Sequence, residues 1–355
     1  MRNKVLILHS GLRTTQRLLD KCSKSFPELE FVPIAFENTG KKNSVPEDIG
    51  EYVGCYCTFM TGDKVYFIKQ LPDTIPLIWG IPGGDLYNRY LRYFGYELCH
   101  DERTDFLFKI GSIFRKVHRR KEFEYLMNRC SAILSAHCDF NMILKYKTKS
   151  SRTPQWIPSV GYYVKKMLGD LYGLPLGVEQ AVHIAIGNSA SRTNNHLYVL
   201  KRLKSKAIGD ARLSLMMSYG DSDAAYKENV FSRYKTWYGD RVTFITDYMY
   251  LDEYNKLLSS FSHFIYGNWR QEAVGNIMTA LYLGGKVYMS NRNPLLNDFR
   301  EQGYIIFELE KADNSFLQPL SLEDKIHNRK LIEANDSQNR IELFRNYLAP
   351  YFLKE

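Results

Sequence analysis

The chain has 355 residues, 45% of them apolar and 14% aromatic, and a formal charge of +9. That length exceeds one compact core and suits two domains of ordinary size, and the composition excludes a disordered, collagen-like or repeat protein. Apolar runs stay below about 18 residues and the one in MRNKVLILHSG is too short for a signal peptide, so a cytoplasmic protein is expected. Six cysteines without metal-ligand spacing read as free, mostly buried thiols, and no metal is expected.

The charge is uneven. Between residues 106 and 166 thirteen Lys or Arg stand against three acids, a local +10, and the rest of the chain is close to neutral. One face of one domain should therefore meet something acidic, with membrane surface, lipid diphosphate and nucleic acid as the candidates.

Residues 4–9 (KVLILH) form a buried-strand run followed by Gly11 and a helix over 14–25. Strands follow at 30–36, 52–57 and 75–79, with a short helix at 63–70, and this alternation predicts a parallel sheet wound with helices. The turn HSGLRT lacks the GxGxxG spacing and gives no support for a dinucleotide site. In IWGIPGGDLY a strand ends in a glycine-rich turn that holds one acid, Asp85. Flexible backbone around a lone carboxylate exposes it at a cleft as a general base or a hydroxyl ligand, and the alternative is a cap on a helix through Asn88 and Arg92.

From residue 106, FLFKIGSIFRKVHRRKEFEYLM fits a helix with Phe106, Ile110, Ile113, Phe114 and Val117 on one stripe, Lys109, Lys116 and Arg120 on another, and Arg119 beside them. Basic side chains combined with phenylalanines suit a membrane surface, and the alternative is a core-facing helix with a solvated basic face. RNA binding has no motif to accompany the charge. Strands are read at 131–136 and 156–158, and an interdomain linker between 159 and 178.

The stretch AVHIAIGNSASRTNNHLYVL, 181–200, joins a buried strand, a tight turn at Gly187-Asn188-Ser189 and a helix that Ser191, Thr193 or Asn194 would cap. Amides converging beyond the strand would cradle a diphosphate, unless this is an ordinary strand-to-helix turn. Strands at 213–217, 242–245, 263–266 and 286–289 alternate with helices at 222–234, 251–260 and 273–283, and a terminal helix spans 341–353. In GNWRQEAVG, Arg270 offers paired hydrogen bonds to a phosphate, Glu272 suits ribose hydroxyls, and Gly275 allows close approach at a helix N-terminus.

Five blocks in one order resemble the bacterial TDP-N-acetylfucosamine:lipid II N-acetylfucosaminyltransferases of enterobacterial common antigen synthesis. They are Ile78-Trp79-Gly80 with Asp85-Leu86-Tyr87; Gly187-Asn188-Ser189 with Arg192, Asn194 and His196; Met217-x-Tyr219 with Ala225-Tyr226; Arg270-Gln271 with Gly275; and Asn291-Arg292 with Asn293-Pro294. Relative to the family's first block, two or so extra residues within 81–84 separate Gly80 from Asp85. The resemblance implies an α/β GT-B fold, two Rossmann-like doubly wound domains facing across a cleft. In it, 1–165 would bind acceptor, 166–335 the nucleotide sugar, and 336–355 would form a helix packing back toward the first domain. It also implies transfer from a TDP- or UDP-sugar to an undecaprenyl-diphosphate-linked glycan at the inner membrane face, with neither cofactor nor nucleic acid. Gly187, Asn188, Ser189, Arg270 and Gly275 would then hold the diphosphate, Tyr219 would lie near the base, Glu272 on the ribose or sugar, and Arg192 would be a further donor-binding residue. Asp85 would be the acceptor-side base, and Lys109, Lys116, Arg119 and Arg120 would meet the membrane. Two rivals are a nucleotide-sugar epimerase of the same double fold and a basic nucleic-acid-binding protein.

Overall fold

A computed structural model describes residues 3–36, 43–100, 113–160, 163–176, 181–206, 208–220 and 223–353. The chain divides into two compact units. Among the described residues, the first comprises 3–96, 113–160 and 338–353, and the second 97–100 and 163–337.

The first unit is built on six parallel strands: β1 (Lys4–His9), β2 (Glu30–Ala35), β3 (Tyr52–Thr58), β4 (Leu77–Gly80), β5 (Ala132–Ser135) and β6 (Gln155–Pro158), in the order β2-β1-β3-β4-β5-β6. Central strands such as β1, through Val5, Leu6, Ile7 and Leu8, and β4 present buried apolar runs, as parallel strands covered on both faces must. Pro33, which has no amide proton to give a ladder, sits in the edge strand β2. The helices are α1 (Leu12–Ser25), α2 (Gly62–Ile68), α3 (Ile113–Arg129) and α4 (His137–Tyr146). A terminal helix (Arg340–Phe352) belongs to this unit: Phe344, Leu348 and Phe352 enter the core with Val5, Ile7, Phe26 and Tyr56.

The second unit holds β7 (His183–Ile186), β8 (Arg212–Met216), β9 (Val242–Ile245), β10 (His263–Tyr266), β11 (Lys286–Met289) and the two-residue β12 (Phe307–Glu308), all parallel, in the order β12-β11-β10-β7-β8-β9. Its helices are α5 (Val164–Leu168), α6 (His196–Lys204), α7 (Ala224–Tyr238), α8 (Leu251–Ser259), α9 (Val274–Tyr282), α10 (Leu295–Glu301) and α11 (Leu322–Asp336), which makes the terminal helix α12. The strand order reverses between β7 and β10, so the turns leaving those two strands flank the topological switch point, where open α/β sheets bind ligands.

Four elements were not legible in the periodicity, α4, α11, β12 and α5, the last of which lies in the stretch read as an interdomain linker. The helix expected through residues 88–92 is instead a π-type turn, Leu86–Tyr90, followed by a 3-10 turn. All six cysteines are free and buried. Among the described residues no helix is long and apolar enough to cross a membrane.

Candidate active site

Gly187 leaves β7 with φ 72°. An added Cβ would lie 2.9 Å from both Asn194 Oδ1 and His196 Nε2, so only glycine combines this backbone with this packing. The helix does not start where the sequence placed it. Ser191 caps a 3-10 turn over Arg192–Asn194, Asn195 adopts φ 53°, and α6 begins at His196. The converging amides are also not free. Asn188 N–H donates to Asn194 Oδ1 (2.8 Å), Ala190 N–H to the Tyr219 carbonyl (2.7 Å) and Ser191 N–H to Ser189 Oγ (3.4 Å). The expectation of open amide donors is therefore corrected at Asn188, Ala190 and Ser191, whose N–H groups find partners within the protein.

Asn194 organises the turn. Besides accepting from Asn188, it donates through Nδ2 to Ser189 Oγ at 2.8 Å. His196 lies fully buried beneath it, with Nδ1 3.0 Å from Tyr226 Oη, and burial pulls its pKa down to about 3, so the ring is neutral. Asn188 Nδ2 donates to Tyr219 Oη at 2.7 Å, which brings the half-exposed Tyr219 of the β8 turn to the same loop. Gly220 packs so closely there that a Cβ would sit 3.1 Å from Ser191 N.

The β10 turn meets this loop from the other side of the switch point. Glu272 accepts from Thr193 Oγ1 (2.8 Å), Asn268 Nδ2 (3.0 Å) and Arg270 Nε (3.1 Å), and Arg270 Nη2 lies 3.4 Å from Thr193 Oγ1. Arg270 and Glu272 form an ion pair with side chains 12% and 15% exposed, which leaves both reachable. Ala273 takes φ 66° just before α9, and Gly275 is buried in the first turn of that helix. Asn188, Ser189, Tyr219, Arg270 and Glu272 are thus linked in one hydrogen-bonded cluster. Arg192 is turned aside: its guanidinium pairs with Asp223 and lies 4.9 Å from the Tyr226 ring centroid.

Thr193, Asn194 and Asn268 lock the two turns together; the sequence marks Thr193 and Asn194 as candidate helix caps, and Asn268 has no role in that reading. Their signal was the density of short polar side chains after two buried strands. Also unforeseen is a segment of residues 97–100 that belongs to the second unit. Glu97 pairs with Arg292 at 2.9 Å, whose guanidinium stacks 3.6 Å over Trp269, and His100 N–H donates to Asn195 Oδ1 at 2.8 Å.

In the first unit Asp85 is neither an exposed carboxylate nor a cap. It is 2% exposed, its Oδ2 accepts from Met60 N–H (2.8 Å) and Trp79 Nε1 (3.0 Å), Oδ1 has no partner, and it makes no cap hydrogen bond. Burial raises its pKa. The turn after it is clamped by Glu122 of α3, which accepts from Arg89 Nε (2.8 Å), Arg89 Nη2 (3.0 Å) and Tyr90 Oη (2.6 Å).

Helix α3 buries Phe123, Leu126 and Met127 and exposes Phe114 (92%) and Val117 (58%), so at these last two positions the apolar stripe does not face the core, which the alternative reading required. Lys116 is exposed. Arg119 instead pairs with Glu122 at 3.2 Å, and Arg120 packs 3.8 Å over the Phe94 ring and donates to the Tyr146 carbonyl. Lys109, with Phe106 and Ile110, lies outside the described residues.

Solved structures share this architecture end to end. Sucrose-phosphate synthase from Thermosynechococcus elongatus superposes with a TM-score of 0.64 at 10% identity, covering 98% of each chain. A structure described as trehalose-6-phosphate from E. coli bound with UDP-2-fluoro glucose gives 0.63 at 9% identity over 99% of each. Anabaena HepE in complex with UDP and glucose gives 0.56 at 11%, covering 98% of this chain and 95% of that one. The two doubly wound units are therefore those of the GT-B glycosyltransferases. The sequence model of the 4-alpha-L-fucosyltransferases, glycosyl transferase group 56, matches residues 76–325, a span that includes all five sequence blocks. The chain belongs to this family and is a glycosyltransferase, which decides against the epimerase and nucleic-acid-binding alternatives.

Proposed function

We propose that the protein transfers a sugar, of the N-acetylated amino-deoxy class such as N-acetylfucosamine, from a TDP- or UDP-linked donor to an undecaprenyl-diphosphate-linked glycan at the cytoplasmic face of the bacterial inner membrane. The observation that carries the donor half is the cluster joining the β7 and β10 turns across the switch point. Two of the similar structures hold UDP with glucose or a fluoroglucose, which supports the donor class. Arg270 meets the diphosphate, either through donors that Glu272 and Thr193 leave available or by exchanging Glu272 for phosphate oxygens. Glu272 has further lone pairs for ribose or sugar hydroxyls, Tyr219 lies toward the base, and Gly187, Asn188, Ser189 and Gly275 shape the floor. Arg192 supports the site through its ion pair with Asp223, which caps α7. The domain roles follow: the second unit binds donor and the first binds acceptor.

The exposed Phe114, Val117 and Lys116 on a basic helix support membrane contact, with apolar insertion adding to attraction for anionic head groups. Asp85, being buried, acts by holding the loop that faces the acceptor unless a bound acceptor opens a path to Oδ1.

A thermal-shift panel of TDP-, UDP- and GDP-sugars, followed by turnover with polyprenyl-diphosphate saccharides, tests this reading. Stabilisation by a TDP- or UDP-sugar and transfer to lipid-linked acceptor are expected. Absence of any nucleotide-sugar effect would sink it.

A further inference from the structure

Phe59 stands just beyond the end of β3 with φ 55°. For a bulky aromatic residue this is an outlier, and such conformations persist only where surrounding groups over-determine them. Here they do. Lys64, fully buried, reaches back from α2 so that Nζ donates to the Thr58 carbonyl at 2.6 Å and the Phe59 carbonyl at 3.0 Å. The next amide, Met60 N–H, is held by the buried Asp85 at 2.8 Å. Thr61 then caps α2. Two ionisable side chains are kept out of water to fix one turn, an arrangement that is unfavourable unless both are bonded as these are.

The product of this arrangement is a phenyl ring 45% exposed at the carboxyl end of β3. The strand order of the first unit reverses between β1 and β3, so the ring stands at that unit's own switch point. A turn needing only this backbone would take glycine or asparagine. A bulky ring placed at a left-handed position and left partly exposed is a group with something to touch. Thr58, Thr61 and Gly62 are half-buried and Asp63 is exposed around it in sequence, so the ring has polar neighbours along the chain. That combination suits a pyranose, which offers one flat face of C–H groups and a rim of hydroxyls.

We propose that Phe59 binds the acceptor glycan by packing its ring against the C–H face of a sugar, with Lys64 and Asp85 as positioning residues that hold it there. This rests on the transferase reading above.

The test uses Phe59→Gly and Phe59→Trp in the full chain, with a farnesyl-diphosphate-linked disaccharide that the unaltered protein glycosylates. Glycine relieves the backbone while removing the ring. The melting temperature of Phe59→Gly should stay level or rise, acceptor KM should rise about five- to tenfold, and donor KM should not change. Phe59→Trp should recover most of the acceptor affinity. Inhibition by farnesyl diphosphate, which lacks the sugar, should be the same for all three proteins. Turnover with an unchanged acceptor KM in Phe59→Gly overturns this inference alone, as does weakened farnesyl diphosphate inhibition, which would assign the ring to the hydrocarbon. No turnover by the unaltered chain with any lipid-linked saccharide overturns the function reading and this inference together.

Discussion

Gly187→Ala perturbs the donor loop through its backbone and its packing at once. At φ 72° an alanine sits in the left-handed region, which costs about 1–2 kcal/mol. Its Cβ would also lie 2.9 Å from Asn194 Oδ1 and from His196 Nε2, both on buried side chains that cannot swing into solvent. If Asn194 yields, the Asn188 amide loses its 2.8 Å partner inside the protein, and a buried unsatisfied N–H costs about 1–3 kcal/mol. The expected destabilisation is therefore about 2–5 kcal/mol, a large part of the roughly 5–15 kcal/mol that holds a folded domain. Urea unfolding followed by tyrosine and tryptophan fluorescence measures it, and calorimetric titration with a TDP- or UDP-sugar measures the accompanying loss of donor affinity. A loss below about 1 kcal/mol, with donor affinity intact, would show that the loop relaxes freely and would refute the packing argument.

Arg270→Ala should raise donor KM about 10- to 100-fold and lower kcat, since charge-assisted hydrogen bonds contribute about 1.5–3 kcal/mol, while acceptor KM stays constant; steady-state kinetics that leave donor KM unchanged would remove Arg270 from the diphosphate. Stability should fall on acidification below pH 6.5. His196, with a folded pKa of about 3, and His263, with one of about 4, stay neutral while the unfolded chain takes up protons, so their contribution is full above 6.5 and is lost as pH drops toward those values. His196 alone accounts for about 2 kcal/mol between pH 6.5 and 5, and denaturation curves for His196→Gln should show a shallower slope over that window. Phe114→Ser with Lys116→Ser should weaken pelleting with phosphatidylglycerol vesicles about tenfold or more, because each lysine near an anionic surface contributes about 1 kcal/mol and an inserted phenylalanine more. Undiminished pelleting would leave α3 without a membrane role.

All strands but β12 were legible as apolar, often β-branched runs near glycine, proline or polar turns, and the turns that carry Asn188 and Arg270 were legible as breaks at strand ends. Helix α4 was not. It begins after Ala136 with no capping side chain to announce it. Helix α11 did have a sign, since Ser321 caps it by accepting from Asp324 N–H at 3.0 Å, but its weakly periodic sequence hides the buried face. The exposed phenyl of Phe114 and the buried ring of Phe123 lie on one helix, and only packing separates their roles.

Residue order alone determines that this chain alternates strand and helix twice over, because local periodicity and turn chemistry are written in neighbours a few positions apart. It does not determine that β7 lies beside β10, about eighty residues later, since strand order follows from how helices cover both faces of a sheet. That adjacency is what lets Thr193 and Asn194 reach Glu272. The same holds for Asp85, whose carboxylate looked available until folding enclosed it against Trp79 and Met60. Burial and partnership are properties of distance in space, and for this protein they decided which polar groups still face a ligand.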